Sequence, residues 1–294
     1  MFKTLTPFRL ASPFDPGADL SAHAFQPCGP TEAMRLGFVP PRGHAGGALV
    51  ESLAGEHLLR VRLQQRMLPG SVVRRRVDEL AAKIEQETAR KPGAKRRREL
   101  KDEAVLELLP QAFTRERDVL AWVSPAAGLL AIGNTSGAVV DALLSLLVQA
   151  LPGFNVTPWL TQESPAACMA AWLRDGDMPD GFGLGRDALL QSTDNNSAAV
   201  RFARHALDTE AVTVHLAEGK TVRELALNWR ERLDFVLDSL GRLKRIELDT
   251  KAEPSEPEAD QFDADMLLAT STLGDAITEL ADSLGGLVDQ FNGE

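Results

Sequence analysis

Arg76, Lys83 and Arg90 stand seven residues apart, so on a helix they form a slowly drifting row of cations roughly 21 Å long at 1.5 Å per residue. Arg75 adjoins the first of them, and Lys95, Arg96, Arg97 and Arg98 follow as an unbroken run with too few carboxylates nearby to neutralise all four. Residues 70 to 110 hold 11 Lys or Arg against 8 Asp or Glu, while the whole chain carries a net charge of −10. Two readings are open for such a stretch. One is a solvated helix face laced with i,i+4 ion pairs. The other is an arm that contacts phosphates through lysine and arginine, releasing condensed counterions as it does so. A second, smaller group of potential cations is Arg201, Arg204 and His205, at the end of a strand-like segment and just before a helical one.

Other chemistries find little support in residue type and spacing. The five histidines (23, 44, 57, 205 and 215) fall in unrelated contexts with no HExxH or HxH spacing, so no metal site is legible and no cofactor is expected. Cys28 and Cys168 lie far apart without a CxxC pair, as expected of two buried thiols. GFGLG at 181–185 lacks the G-x-G-x-x-G spacing and reads as a plain loop. There is no GxSxG and no Walker lysine pattern. Nothing in these patterns asks for an enzyme. The four tryptophans sit in apolar patterns that fit a core, and the absence of tyrosine weakens a stacking surface for single strands.

The cations need elements to hold them. Val73, Val77, Leu80 and Ile84 recur at helical spacing, Pro92 and Gly93 break the pattern, and Leu100, Ala104 and Leu108 resume it until Pro110, which gives an αα-hairpin. Residues 2–10 alternate as a strand, with Pro7 placing it at an edge. DPGADLSAHAF reads as a short helix. Two hairpins are expected, one turning at Ala54-Gly55 and one at Pro125 to Gly128, with a helix at 136–150 after the second. That order hints at a duplicated strand-hairpin-helix unit with the arm inserted. Ser164 with Pro165 caps a helix to 175. ALLQST and AAVRFARHAL are strand-like, a helix covers 208–218, and the segment to Leu248 is antiparallel β in a separate base. KAEPSEPEAD is a linker by composition, and a last helix from Phe262 ends at paired glycines.

Composition is that of a globular protein, 44% hydrophobic and 25% charged, and with no leader-like apolar run near residue 1 and no stretch of about 18 apolar residues, neither a secretory signal nor a membrane span is expected. A cytoplasmic location is expected. The acidity is local: residues 247–294 carry 13 carboxylates and one lysine, and the rest of the chain is slightly basic. Screening confines each patch's field to about 8 Å at physiological salt, so an acidic tail does not prevent a cationic surface elsewhere from meeting DNA.

Several blocks taken in order, FQPCGPTEAMRLGFVPP, RMLPGSVV, LKDEAVLELLPQAFTR, GKTVRELALNWRERLDFVL and QFDADMLLAT, resemble the proteobacterial recombination-associated RdgC family over nearly the whole chain. The resemblance implies an α+β fold with five parts. These are a central α/β region with antiparallel hairpins (1–69 and 112–175), an inserted basic helical-hairpin tip (70–111), a β-rich base (176–250), and an acidic linker with a C-terminal helix (251–294). It implies a horseshoe subunit that forms a ring-shaped homodimer around DNA. It further implies a nucleoid-associated protein that binds DNA regardless of sequence, with a hole large enough for a duplex and the preference between double and single strands left open, and that restrains a RecA-type recombinase. Phe113 matches the family position that packs into the partner's tip. Arg204 and His205 align with a pair on a finger that projects into the hole, and Gln111 stands where a basic residue is expected. The DNA-contacting candidates are therefore Arg75, Arg76, Lys83, Arg90, Lys95, Arg96, Arg97, Arg98, Arg201, Arg204 and His205. The alternative is a protein–protein interaction factor acting on the recombinase, with DNA secondary.

Overall fold

In the computed structural model, residues 2–194, 198–249 and 258–288 are described, with side chains from 261 onward in the last segment. The strands are β1 (Thr4–Leu10), β2 (Met34–Val39), β3 (Val50–Leu53), β4 (Glu56–Arg66), β5 (Thr114–Ser124), β6 (Leu129–Ile132), β7 (Val156–Pro158), β8 (Phe182–Ser192), β9 (Ala199–Phe202), β10 (Lys220–Trp229), β11 (Leu233–Asp238) and β12 (Leu243–Leu248). The helices are α1 (Gly70–Thr88), α2 (Ala94–Leu108), α3 (Gly137–Ala150), α4 (Pro165–Asp175), α5 (Glu210–Ala217) and α6 (Glu258–Ser283). The fold is α+β. Its strands follow the order β2-β4-β5-β6-β1-β12-β11-β10-β8-β9, with β3 beside β4 and β7 beside β1, and every ladder between them is antiparallel.

The two halves of this sheet meet at one short ladder, Thr4 with Lys244 and Leu5 with Leu243. Each half has its own packing. Leu59, Val61, Val119 and Ile132 of the first half pack with α3 through Val139, Val140, Leu143 and Leu147. Val222, Leu225, Leu227, Phe235 and Leu237 of the second half pack with α4 and α6, in a core that also takes in Trp122 and Leu58 from the first half. The four tryptophans are all buried, and both cysteines are free and buried.

Between β4 and β5 the chain leaves the body as α1 and α2. Val73, Val77, Ala81, Leu100 and Ala104 form a third core that belongs to this hairpin alone. Because β4 and β5 pair along ten residues, the arm is an elaborated turn between neighbouring strands.

Several expectations need correction. β1 is interior, and Pro7 is tolerated because it falls between the residues that pair with β12 and those that pair with β7. DPGADLSAHAF holds only a 3₁₀ turn at Ser21–His23. The carboxylates of Asp15 and Asp19 accept from the N–H groups of Gly17 and Ser21, and these local bonds compete with a helix. GFGLG opens β8, so it is not a loop. The strand after it stops at Phe202. α6 starts four residues earlier than Phe262, inside the stretch read as linker, whose residues 251–257 lie outside the described set. Among the described residues the first hairpin has no packed helix equivalent to α3, and its strand β4 pairs with β5, which departs from the expected repeat of strand, hairpin and helix. Ser164 occupies the N-cap of α4, but its hydroxyl makes no capping bond.

Candidate nucleic-acid interface

The arm holds its cations in two states. Arg76 reaches across to α2, where its Nε and Nη2 donate to Glu107 at 2.9 and 2.8 Å, and its Nη1 donates to Glu79 at 2.9 Å. Arg96 donates to Glu99 and Glu103 at 3.0 and 2.9 Å, and Arg97 reaches Asp78 on α1 at 3.3 Å. Arg75 lies 3.9 Å from Glu79. The hydrogen bonds to Glu107 and then Glu79 hold the Arg76 guanidinium above its ordinary pKa, and Glu99 with Glu103 does the same for Arg96. These groups brace the hairpin, at exposed sites where each pair contributes little. Lys83, Arg90, Lys95 and Arg98 are exposed and form no ion pair among the described residues. Arg74, Lys91 and Lys101 share that state.

The second group of cations lies on the second half-sheet. Arg201 of β9 pairs in register with Leu189, which faces Glu224 of β10 on the other side. Arg201 is 3.9 Å from Glu224, and Lys244 bridges Glu224 at 2.9 Å and Asp238 at 3.0 Å. Burial works against the Lys244 ammonium, but hydrogen bonds to Glu224 and Asp238 outweigh it and raise its pKa. Arg204 and His205 turn off the end of β9 and are tied to β8. The Arg204 N–H donates to Asp187 Oδ1 at 2.7 Å, the Arg186 guanidinium donates to the Arg204 carbonyl at 3.0 Å, and the His205 N–H donates to the Arg186 carbonyl at 2.9 Å. Arg245 binds the other oxygen of Asp187 at 2.5 Å. The N–H of Arg204 and then the Arg245 side chain hold the Asp187 carboxyl below the usual range.

Arg186, Arg223 and Arg245 are the residues that sequence reasoning missed. Each sits where the ladder slips: Arg223 between Val222 and Glu224, Arg186 opposite the Leu225–Leu227 shift, and Arg245 opposite the Asp234–Val236 shift. A bulge breaks the two-residue alternation and re-aims the side chain it carries. Arg245 and Arg204 also hold left-handed φ values of 50° and 53°, uncommon away from glycine. A lone arginine in an alternating strand gives no sign of a bulge, so the only available signal was the density of arginine from 186 to 245.

Phe113, at the root of the arm, is 88% exposed. The Met67 N–H donates to its carbonyl at 2.7 Å. Met67 and Met34 are exposed as well, and since Met34 pairs with Gln65, two residues before Met67, the period of a strand sets both on the face shared with Phe113. Among the described residues no three His, Cys, Asp or Glu side chains gather as a metal site. No helix there is long and apolar enough to cross a membrane.

Fold and surface together define a class: an α+β protein with a continuous antiparallel sheet, a basic two-helix arm and exposed cations on two separated surfaces. The chain belongs to the RdgC family, whose model, described as "Putative exonuclease, RdgC", matches residues 1–287. It is 38% identical to the recombination-associated protein RdgC of Burkholderia cenocepacia, over 97% of this chain and 95% of that one. It is likewise 38% identical to the protein of the same name from Dechloromonas aromatica, over 98% of both chains, and 37% identical to that of Burkholderia ambifaria, over 97% and 96%.

Proposed function

We propose that this chain is a non-enzymatic clamp on DNA that acts in recombination, as the name of its relatives supports, by encircling duplex DNA as a homodimer and restraining a RecA-type recombinase. The observation that carries this reading is the set of exposed cations on the arm without ion-pair partners among the described residues, Lys83, Arg90, Lys95 and Arg98, together with the arginines re-aimed at the bulges of the base. Spread over two surfaces, they suit a long polyanion better than a small ligand. They meet phosphates, which carry no sequence information. The ring occludes growth of the recombinase filament.

Fluorescence anisotropy with two unrelated duplexes across a salt series tests this, alongside the mass in solution. Equal affinities, a slope of log affinity on log salt that steepens by about 0.9 per phosphate contacted, and a dimer mass are expected. Absence of binding at about 50 mM salt, where backbone binders are tight, overturns the clamp. The exposed apolar face of Met34, Met67 and Phe113 supports a second reading, a factor that docks on the recombinase with DNA secondary. If that face joins two copies instead, Phe113→Ala shifts the dimer to monomer on dilution and leaves the monomer's melting unchanged. A mutant dimer as durable as wild type removes Phe113 from the interface.

A further inference from the structure

Arg66, the last residue of β4, binds no carboxylate among the described residues and spends its guanidinium on main-chain carbonyls. Nη1 donates to Leu109 and Ala112 at 3.2 Å each and to Pro110 at 3.5 Å. Nε and Nη2 donate to Gly29 at 3.3 and 3.2 Å, and Nη2 also reaches Cys28 at 3.5 Å. One side of this planar fork thus holds the turn that ends α2, and the other holds the loop before β2. The carbonyls at the end of a helix lack intrahelical partners, and a cation there is favoured by the helix dipole.

The position matters because little else ties the arm to the body. The arm's core is separate from the two others, and the chain crosses the junction only at 67–69 and 109–113. α1 is 19 residues long, so the arm is a lever of about 28 Å, and a swing of roughly 10° at its root carries the far end about 5 Å. That exceeds the tolerance of any side-chain contact.

The geometry points to Arg66 as a positioning residue that pins the arm at one angle and seats Phe113, so that a second copy of this chain can dock; this rests on the two-copy reading above. Spin labels at K91C and S145C, on the arm and on α3, report the arm's angle in single chains, and dilution reports the dimer. Wild type should give one narrow distance. Arg66→Ala should broaden it while the α1 and α2 amides stay protected from exchange, and should weaken the dimer by at least tenfold. Arg66→Lys keeps the charge but cannot span both segments, so it should broaden the distance in part. A distance as narrow as wild type in either variant overturns the pin, and so does an unchanged dimer in a variant whose distance has broadened. If wild type is monomeric at every concentration the two-copy reading fails, and the distance alone then decides whether Arg66 holds the arm.

Discussion

Leu100 is the deepest large side chain of the arm, 1% exposed between Val73 and Val77 of α1 and Ala104 of its own helix. Replacing it with alanine removes three carbons from a core separate from the other two, and such changes cost about 3–5 kcal/mol. An element of some forty residues at about 0.05–0.15 kcal/mol per residue is stable by about 2–6 kcal/mol. The loss therefore matches the whole stability of the arm, and Leu100→Ala should unfold the arm while the body stays folded. Hydrogen exchange read by mass spectrometry should show peptides from 70–108 unprotected and those of β5 and β10 unchanged. The far-UV helix signal should fall by roughly a third, the arm's share of the helical residues. Leu106→Ala, at a position 60% exposed, is the control and should change neither. Wild-type protection of the arm in Leu100→Ala, or loss of protection in β10 along with it, would refute the independence of the third core.

Asp238 carries a different kind of weight. Its side chain is 3% exposed and accepts from Arg242 Nε at 2.7 Å, from Lys244 Nζ at 3.0 Å and from the N–H groups of Leu240 and Arg242 at 2.9 and 3.1 Å. Asp238→Ala removes an acceptor from the Arg242 guanidinium and from the Lys244 ammonium, which keeps only Glu224, and leaves two amides without theirs, and should lower stability by about 3–5 kcal/mol in urea titration. A drop below about 1 kcal/mol would mean that water replaces the carboxylate freely. His57, buried with its Nδ1 2.8 Å from Ser52 Oγ, has its pKa pushed down by burial, with the Glu56 carboxylate working the other way. A depressed folded pKa means that its contribution is intact above the unfolded value of about 6.5 and is lost as pH falls below it. His57→Phe should flatten the dependence of stability on pH between about 6.5 and 5, and an unchanged slope would assign that dependence to other groups.

What the sequence made legible were elements whose own pattern decides them. The arm's helices keep a 3.6-residue period with Pro92-Gly93 between them, and among the described residues their buried cluster is made by the arm itself. Ala54 and Gly55 form the turn of the β3–β4 hairpin, at φ 53° and 86°, as a two-residue hairpin turn requires. Illegible features depended on partners distant in sequence. Gly185 reads as a loop glycine, yet it lies where a Cβ would come within 2.6 Å of the Ala226 Cβ, so its bareness serves the approach of two strands. The charge run at 95–98 was visible, but the pairing of Arg97 with Asp78 crosses between helices and needed the hairpin's register. In the same way Arg186, Arg223 and Arg245 became a group only once the bulges were seen.

Among the described residues the two half-sheets are joined by two ladder pairs and one further backbone bond, from the Ile246 N–H to the Lys3 carbonyl at 3.0 Å, so on its own that joint would bend. α6 prevents it. At 26 residues, about 39 Å, it runs along both halves and is tied to each by a carboxylate. Asp263 meets Arg42 at 2.5 Å in the first half, where the guanidinium also lies over the Phe262 ring at 4.7 Å. Glu279 accepts from Trp229 Nε1 at 2.8 Å and from Arg230 at 2.7 Å in the second half. Between these ties Gly274 lies against the Trp122 ring, and a Cβ there would already be in contact at 3.5 Å. At least two carboxylates of the acidic C-terminal region, Asp263 and Glu279, thus bind arginines of the body. Stiffness is therefore unevenly divided. The body is strapped across its weak joint, while the arm hangs on two crossings and one guanidinium. Under the proposed clamp, that division would let the body keep the spacing of the cations on the base while the angle of the arm governed docking of a second copy.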